Sequence, residues 1–120
     1  MNSLITREHN GAAFTFREDG YFSMTMAARH FGKHLDDFLR NKETKEYIDA
    51  LKLALAPAHS RDLEVMVAVP GNRYIADRGT WAHPKLAVFF ARWLDVRFAV
   101  WCDMQIDETP SGGHLARMQG

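Results

Sequence analysis

The sequence predicts an α+β domain in which two β-hairpins and several helices pack on a pair of helices near the C-terminus. Two pairs of β-prone segments, each interrupted by turn residues, indicate the hairpins. Apolar side chains at helical spacing indicate the helices. The densest run of large apolar side chains, residues 79–101, is expected to form the core against which the other elements pack.

Composition limits the class of protein before any motif is considered. The chain of 120 residues, 47% hydrophobic and 25% charged, has the size and composition of one globular domain. No apolar run approaches the ~20 residues of a membrane span, and the N-terminus lacks the apolar core of a signal peptide. A single cysteine, Cys102, fits a reducing compartment. These features predict a cytoplasmic protein.

Charge gives no global sign of a nucleic-acid partner, because 15 basic residues balance 15 acidic ones. Binding depends on a local basic face rather than on the sum of charges. The segment 29–45 has a mild local excess, with five basic and three acidic residues. This segment is therefore the first place to look for contacts with a polyanion.

The N-terminal elements are predicted to form a hairpin. Segments Ser3–Arg7 and Ala13–Arg17 are β-prone, and His9–Gly11 between them contains residues that tolerate positive φ. A second turn at Glu18–Gly20 leads to a short extension, Tyr21–Phe22.

Two short helices separated by a glycine turn are predicted next. Thr25 can cap a helix that starts near Met26, and Gly32 can end that helix in the left-handed conformation. The inward positions of the second helix are Leu35, Phe38 and Leu39. A small residue at Ala28, four before Gly32, and an apolar one at Phe38, six after it, match the spacing of a helix-turn-helix. By itself this spacing also occurs in many helical hairpins.

A third helix is predicted to begin at Thr44, as its N-cap, and to end near Pro57. Its apolar stripe consists of Tyr47, Ile48, Leu51 and Leu55. Beyond a loop, Leu63–Val69 and Arg73–Ala76 have the pattern of two strands, with Pro70–Asn72 as the turn between them. The sequence therefore predicts a second, central hairpin.

Two abutting helices are predicted at the C-terminus. Pro84 suits the first position of one helix, and Asp95 suits the N-cap of the other. Their apolar stripes are Leu86, Phe89, Phe90, Trp93 and Leu94 in the first helix and Ala99, Val100, Trp101 and Met104 in the second. After Glu108 the periodicity is lost and Pro, Ser and Gly accumulate, which predicts a domain of residues 1–108 followed by a flexible tail, 109–120.

Several separated motifs, in order along nearly the whole chain, resemble the KilA-N domain. The matching segments are Asp19-Gly20-Tyr21-Phe22-Ser23-Met24-Thr25, Ala27-Ala28-Arg29-His30-Phe31-Gly32-Lys33, Phe38-Leu39-Arg40, Thr44-Lys45-Glu46-Tyr47-Ile48, Gly79-Thr80-Trp81-Ala82-His83-Pro84, Leu86-Ala87 and Phe90-Ala91-Arg92-Trp93-Leu94. Several motifs that agree in order are much more specific than any one of them.

The resemblance implies a function as well as a fold. KilA-N domains occur in bacteriophages, bacteria and large DNA viruses, are regarded as DNA-binding modules, and are related to the fungal APSES domain. The expected fold has a winged helix-turn-helix-like core, in which the helices between Thr25 and Lys42 and the hairpin between Leu63 and Ala76 form the DNA face. We expect a non-enzymatic regulator of phage or prophage origin that binds double-stranded DNA without a cofactor.

The candidate contacts follow from the way the second helix of a helix-turn-helix enters the major groove. The residues expected to contact bases are His34, Asp37, Arg40 and Asn41. The residues expected to contact phosphates are Lys33, Lys42, Arg61, Arg73 and Arg78. A simpler interpretation of the same face is a solvated one, in which Asp36 or Asp37 pairs with Arg40.

Other functions compete with DNA binding. The zero net charge favours a protein-interaction module on the same fold, directed at a host or phage regulatory protein, and the oligomeric state is left open, a homodimer included. His30 and His34 have a spacing that suits zinc on a continuous helix, but Gly32 lies between them and no further ligand is close in the sequence, so no metal site is predicted. A nuclease or metal hydrolase is the most distant alternative.

Overall fold

The computed structural model describes residues 3–55, 64–71 and 78–109. In chain order, its elements are β1 (Leu4–His9), β2 (Ala12–Arg17), β3 (Phe22–Ser23), α1 (Met24–His30), α2 (Leu35–Arg40), α3 (Lys42–Leu55), β4 (Met66–Val69), β5 (Gly79–Ala82), α4 (Pro84–Leu94) and α5 (Val96–Glu108). The described strands form one antiparallel sheet in the order β1-β2-β3-β5-β4. The predicted α+β class is confirmed.

The N-terminal hairpin is confirmed, and the two residues of its turn determine the conformation of that turn. Strands β1 and β2 pair from Leu4 opposite Arg17 to His9 opposite Ala12, which leaves a two-residue loop. Asn10 and Gly11 occupy that loop with φ of 50° and 82°. Two positive φ values match the right-handed twist of the strands, and Asn-Gly is the dipeptide that adopts them most easily.

The short strand β3 lies between the N-terminal hairpin and the central strands. Phe22 pairs with Phe16 of β2 on one side and with Ala82 of β5 on the other. All three of these side chains are fully buried. Two residues of chain therefore join two regions of the sheet that are distant in sequence.

Strand β4 pairs with a strand, β5, that lies beyond the predicted central hairpin. Strand β4 pairs with β5, so that Met66 is opposite Ala82 and Val69 is opposite Gly79. The predicted partner of this strand, Arg73–Ala76, lies outside the described residues. Gly79-Thr80-Trp81 stands directly before the apolar segment that forms the C-terminal helices. The pattern of apolar residues therefore did not distinguish it as a separate strand.

Tyr21, in the turn that precedes β3, contacts the segment that precedes β4. Its hydroxyl donates to the backbone oxygen of Glu64 at 2.5 Å, and the Arg17 guanidinium lies 4.6 Å from the centre of its ring. Arg17 also pairs with Asp19 at 2.6 Å. Burial, and to a smaller extent the Asp19 carboxylate, raise the pKa of Tyr21 to about 12. The phenol therefore stays protonated and remains a donor at ordinary pH.

The predicted N-cap role of Thr25 is wrong. Helix α1 begins one residue before it, after Ser23, and Thr25 instead accepts a hydrogen bond from the backbone N–H of Thr80 in β5 at 2.9 Å. Gly79 has a φ of 114°, and a Cβ atom at this position would lie only 3.1 Å from the Thr25 hydroxyl. The glycine therefore permits β5 to pack closely on the first turn of α1.

The glycine turn after α1 is confirmed. Gly32 has a φ of 66°, its N–H donates to the oxygen of Arg29 at 3.1 Å, and the N–H of Lys33 donates to the oxygen of Ala28 at 2.9 Å. This pair of bonds is the Schellman arrangement, which satisfies carbonyl groups at a helix end and redirects the chain. Helix α2 begins three residues after Gly32.

The predicted cap of the third helix at Thr44 is also wrong. Helix α3 begins at Lys42, directly after Asn41, and the N–H of Lys45 already donates to the oxygen of Asn41 at 3.1 Å. Thr44 therefore lies within the first turn, and its side chain is buried. Tyr47, on the predicted apolar stripe, stacks on Phe89 of α4 with 4.1 Å between ring centres.

Both predicted helix starts at the C-terminus are confirmed. Pro84 is the first residue of α4, and Nδ1 of His83 accepts from the N–H of Lys85 at 3.1 Å. Asp95 caps α5 by accepting from the N–H of Phe98 at 2.9 Å. Side chains that are at most 1% exposed include Phe14, Phe16, Phe22, Phe38, Trp81, Leu86, Phe90, Phe98 and Cys102.

The predicted apolar face of α5 is only partly correct. Val100 and Met104 are 60% and 59% exposed, whereas the buried positions are Phe98, Ala99, Cys102 and Ile106. The extended backbone at Asp95, with φ −171° and ψ 132°, breaks the helical path, so the stripe of α4 does not continue in phase into α5. Burial raises the pKa of the Cys102 thiol to about 12, which disfavours the nucleophilic thiolate. The predicted tail beyond Thr109 lies outside the described residues.

Candidate nucleic-acid interface

Helix α2 is held by its apolar side against α4. The Phe38 ring is fully buried, and its centre lies 4.9 Å from that of Phe90 and 5.4 Å from that of Trp93. Leu35 and Leu39, on the same side, are half-buried against this core. The opposite side of α2, with Asp36, Asp37 and Arg40, is exposed.

The predicted base-contacting residues are all exposed around α2. These residues are His34, Asp37, Arg40 and Asn41. His34 is the N-cap residue of α2 but makes no side-chain capping bond, and Asn41 is the C-cap residue, with an extended ψ of 135°. The structure thus brings the four together along one short helix and its two ends.

An ion pair occupies this face. Nη2 of Arg40 lies 2.5 Å from Oδ1 of Asp37, and Nε of Arg40 donates to the backbone oxygen of Asp36 at 3.3 Å. The two paired side chains are 72% and 54% exposed. An exposed pair of this kind contributes about 0–1 kcal/mol to the stability of the fold. The observed geometry is therefore compatible both with a face that contacts only solvent and with a face that contacts DNA.

Lys33 has an internal partner that sequence reasoning missed. Its Nζ donates to the backbone oxygen of Trp93 at 2.8 Å and lies 4.7 Å from the centre of the Trp93 ring. Trp93 is in the last turn of α4, where carbonyl groups lack helical partners and the helix dipole favours a cation. This amine therefore has a structural use that competes with its predicted contact with phosphate.

The other predicted phosphate contacts are placed unequally. Lys42 is exposed at the start of α3 and is 4.0 Å from Glu46, the outer limit of an ion pair. Arg78 is half-buried directly before β5. Arg61 and Arg73 lie outside the described residues.

Two further exposed cations stand close to α2 in the sequence. Arg29, in the last turn of α1, and Lys45, in the first turn of α3, are both exposed. Both belong to the local basic excess in residues 29–45. Neither residue is among the predicted phosphate contacts, although the basic excess of this segment is visible in the sequence.

The two histidines with zinc-like spacing do not share a helix. His30 is the last residue of α1, and its ring packs on Phe14 and Phe31 with centre distances of 5.3 Å and 5.0 Å. His34 lies beyond the glycine turn. In the parts of the chain that the structure describes, no three His, Cys, Asp or Glu side chains come together as metal ligands could. Nor does any helix within residues 3–55, 64–71 and 78–109 have the length and apolar character needed to cross a membrane.

The chain belongs to the KilA-N domain family, whose sequence model matches residues 6–112. This is a family of DNA-binding domains rather than of enzymes. A KilA-N domain-containing protein of Acanthamoeba polyphaga mimivirus is 27% identical to the chain over 84 residues. That alignment covers 70% of this chain and 18% of the viral protein, so the chain spans less than a fifth of its relative. No solved structure matches the chain.

Proposed function

We propose that this chain binds duplex DNA as a winged helix-turn-helix domain, with α2 as the helix that enters the major groove. The observation that carries the proposal is the orientation of α2. Phe38 is buried against α4, and His34, Asp37 and Arg40 are exposed. A short helix that presents polar side chains from a rigid support is the geometry that a groove-reading element requires.

Each exposed side chain has a defined task in this proposal. Arg40 can donate two N–H bonds to O6 and N7 of guanine, Asn41 can pair with adenine, and Asp37 can accept from N4 of cytosine. His34, at the leading end of α2, is the remaining base contact. These four residues supply sequence preference, whereas contacts to phosphate supply most of the affinity.

The phosphate contacts are assigned to cations beside α2 and to the hairpin that serves as the wing. Lys42, Arg29 and Lys45 flank α2 and are exposed. Arg78 precedes β5 at the base of the wing. Arg61, which precedes β4 in the sequence, and Arg73, which lies between β4 and β5 in the sequence, complete the proposed set and are outside the described residues.

A regulatory role follows if the domain prefers one duplex sequence over others. The family match and the viral relative support an origin in a phage, a prophage or a related mobile element. Selection of a preferred site from a random pool of duplexes tests this part of the proposal. A protein that enriches no sequence binds DNA without the selectivity that a regulator needs.

The salt dependence of binding to a random duplex tests the interface itself. Fluorescence anisotropy over a series of salt concentrations gives a slope of log affinity against log salt, which is expected to be about −0.9 per phosphate contact. Replacing Lys42 or Lys45 by Ala should reduce the magnitude of that slope by about one and weaken all sequences alike.

The control is a variant that loses the same single positive charge on a different element of the domain. Arg7 is exposed on β1, an edge strand at the opposite end of the sheet from β4, and Arg7→Ala should leave the slope unchanged. Equal effects of Arg7→Ala and Lys45→Ala would show a response to net charge rather than to a defined interface. Binding that is absent at every salt concentration would overturn the proposed function.

A further inference from the structure

The exposed side of α2 is not basic. It carries Asp36 and Asp37 in the first turn and Arg40 in the last, so two carboxylates accompany one guanidinium. Carboxylates close to a DNA backbone are repelled by the negatively charged phosphates. A surface that served only to grip DNA would not gain from these residues.

The position of Asp37 gives it a second effect, through Arg40. Its Oδ1 holds Nη2 of Arg40 at 2.5 Å, while the Arg40 Nε donates to the backbone oxygen of Asp36. The guanidinium has five N–H donors in a rigid fork, so these two contacts leave donors free for the edge of a guanine. They also restrain Arg40 from turning toward a phosphate.

We propose that Asp37 is a specificity-determining residue, which aims Arg40 at a base edge and weakens binding to DNA that lacks the preferred base. This inference rests on the proposed function. On a preferred site the repulsion from phosphate is offset by the bidentate contact of a correctly placed Arg40. On random duplex the repulsion has no such compensation, and the restrained Arg40 makes no contact with phosphate in its place.

Asp37→Asn tests the inference because it removes the charge and keeps the size of the side chain. Its matched control is Asp36→Asn, which makes the same change of charge one residue away on the same exposed turn. Asp36 meets Arg40 through its backbone oxygen, which the substitution retains. Circular dichroism establishes that both variants keep the fold.

The measured quantity is the ratio of affinity for the selected site to affinity for random duplex, at one fixed salt concentration. We expect Asp37→Asn to lower this ratio by roughly twofold to fivefold, mainly because random duplex is bound more tightly. Asp36→Asn should tighten both kinds of binding by similar factors and leave the ratio unchanged.

A second variant shows whether Asp37 acts through Arg40. In an Arg40→Ala background, Asp37→Asn should change the ratio by a smaller factor than in the unaltered protein, because no guanidinium remains to be aimed and only a direct contact of Asp37 with cytosine can be lost. The inference is overturned if Asp36→Asn and Asp37→Asn lower the ratio equally, or if Asp37→Asn changes the ratio by the same factor with and without Arg40. Failure of the unaltered protein to bind any duplex is a different result, which overturns the proposed function itself.

Discussion

Lys33 and Trp93 are 60 residues apart in the sequence, yet the amine of the first donates to the backbone oxygen of the second at 2.8 Å. The contact links the turn between α1 and α2 to the end of α4. Phe38 anchors the same α2 on α4 through its ring. Two independent contacts, one polar and one apolar, therefore set the orientation of the proposed recognition helix.

Replacing Lys33 by Met should lower the free energy of unfolding by about 0.5–2 kcal/mol, because a charged hydrogen bond and a cation–π contact are lost. Urea denaturation measures this change. The slope of DNA affinity against salt should stay as it is in the unaltered protein. A slope smaller by one, with unchanged stability, would instead support the phosphate contact that the sequence suggested for Lys33.

Replacing Gly79 by Ala should destabilise the fold by about 2–4 kcal/mol, since a positive φ and a crowded Cβ act together. Gly11→Ala is the matched control. Gly11 also has a positive φ, but no atom lies within 4 Å of its added Cβ. Gly11→Ala should therefore lower the free energy of unfolding by only about 1–2 kcal/mol, which is the cost of the positive φ alone. Equal losses in the two variants would show that the packing of β5 on Thr25 is looser than described.

Truncating Phe38 to Ala should cost roughly 3–5 kcal/mol, as for other large side chains in packed cores. Its ring is buried among Phe89, Phe90 and Trp93. Val100→Ala, on the exposed side of α5, should change stability by less than about 0.5 kcal/mol. Guanidinium denaturation of both variants checks the comparison, and a small loss for Phe38→Ala would mean that α2 is not anchored on α4.

The Tyr21 phenol should make stability fall at alkaline pH. Its pKa is raised to about 12 in the folded chain, against roughly 10 in an unfolded one. Because the folded value is the higher one, the stabilising contribution is complete below pH ~10 and is lost as the pH rises toward 12. Tyr21→Phe removes this titration together with the hydrogen bond to Glu64.

Unfolding measured between about pH 8 and pH 11 should therefore show two differences between the unaltered protein and Tyr21→Phe. At the lower pH the variant should be less stable by about 0.5–1.5 kcal/mol, the usual contribution of one hydrogen bond. This difference in the free energy of unfolding between the two proteins should become smaller as the pH rises. Cys102 titrates in both proteins, so its effect cancels in the comparison, and a constant gap would contradict the role given to Tyr21.

Features that depend on a few neighbouring residues could be predicted from the sequence. Asn10-Gly11 encodes a two-residue turn, Gly32 ends a helix, and Pro84 and Asp95 begin helices, because each acts through its own backbone or the next turn. The structure confirms all four. The exposure of the residues around α2 was predictable for the same reason, from the spacing of the apolar side chains beside them.

Features that depend on distant partners could not be predicted. Thr25 has the sequence context of a helix cap, and only the fold reveals that its hydroxyl meets the N–H of Thr80. Lys33 likewise looks free until α4 is placed beside it. The register of β4 on β5 and the buried face of α5 are set by tertiary packing, which overrides local propensity.

The two residues of β3 also bear on how the protein is completed during synthesis. Phe22 needs Ala82 on one side of the sheet, and the ring of Phe22 lies beside those of Phe90 and Phe98. All three of those partners leave the ribosome at least 60 residues later, which takes about 3–12 s at typical rates of synthesis. Until then the apolar side chain of Phe22 in the nascent chain lacks these partners. We therefore expect truncated chains without residues 79–98 to bind chaperones and to aggregate, and chains that include these residues to do so less.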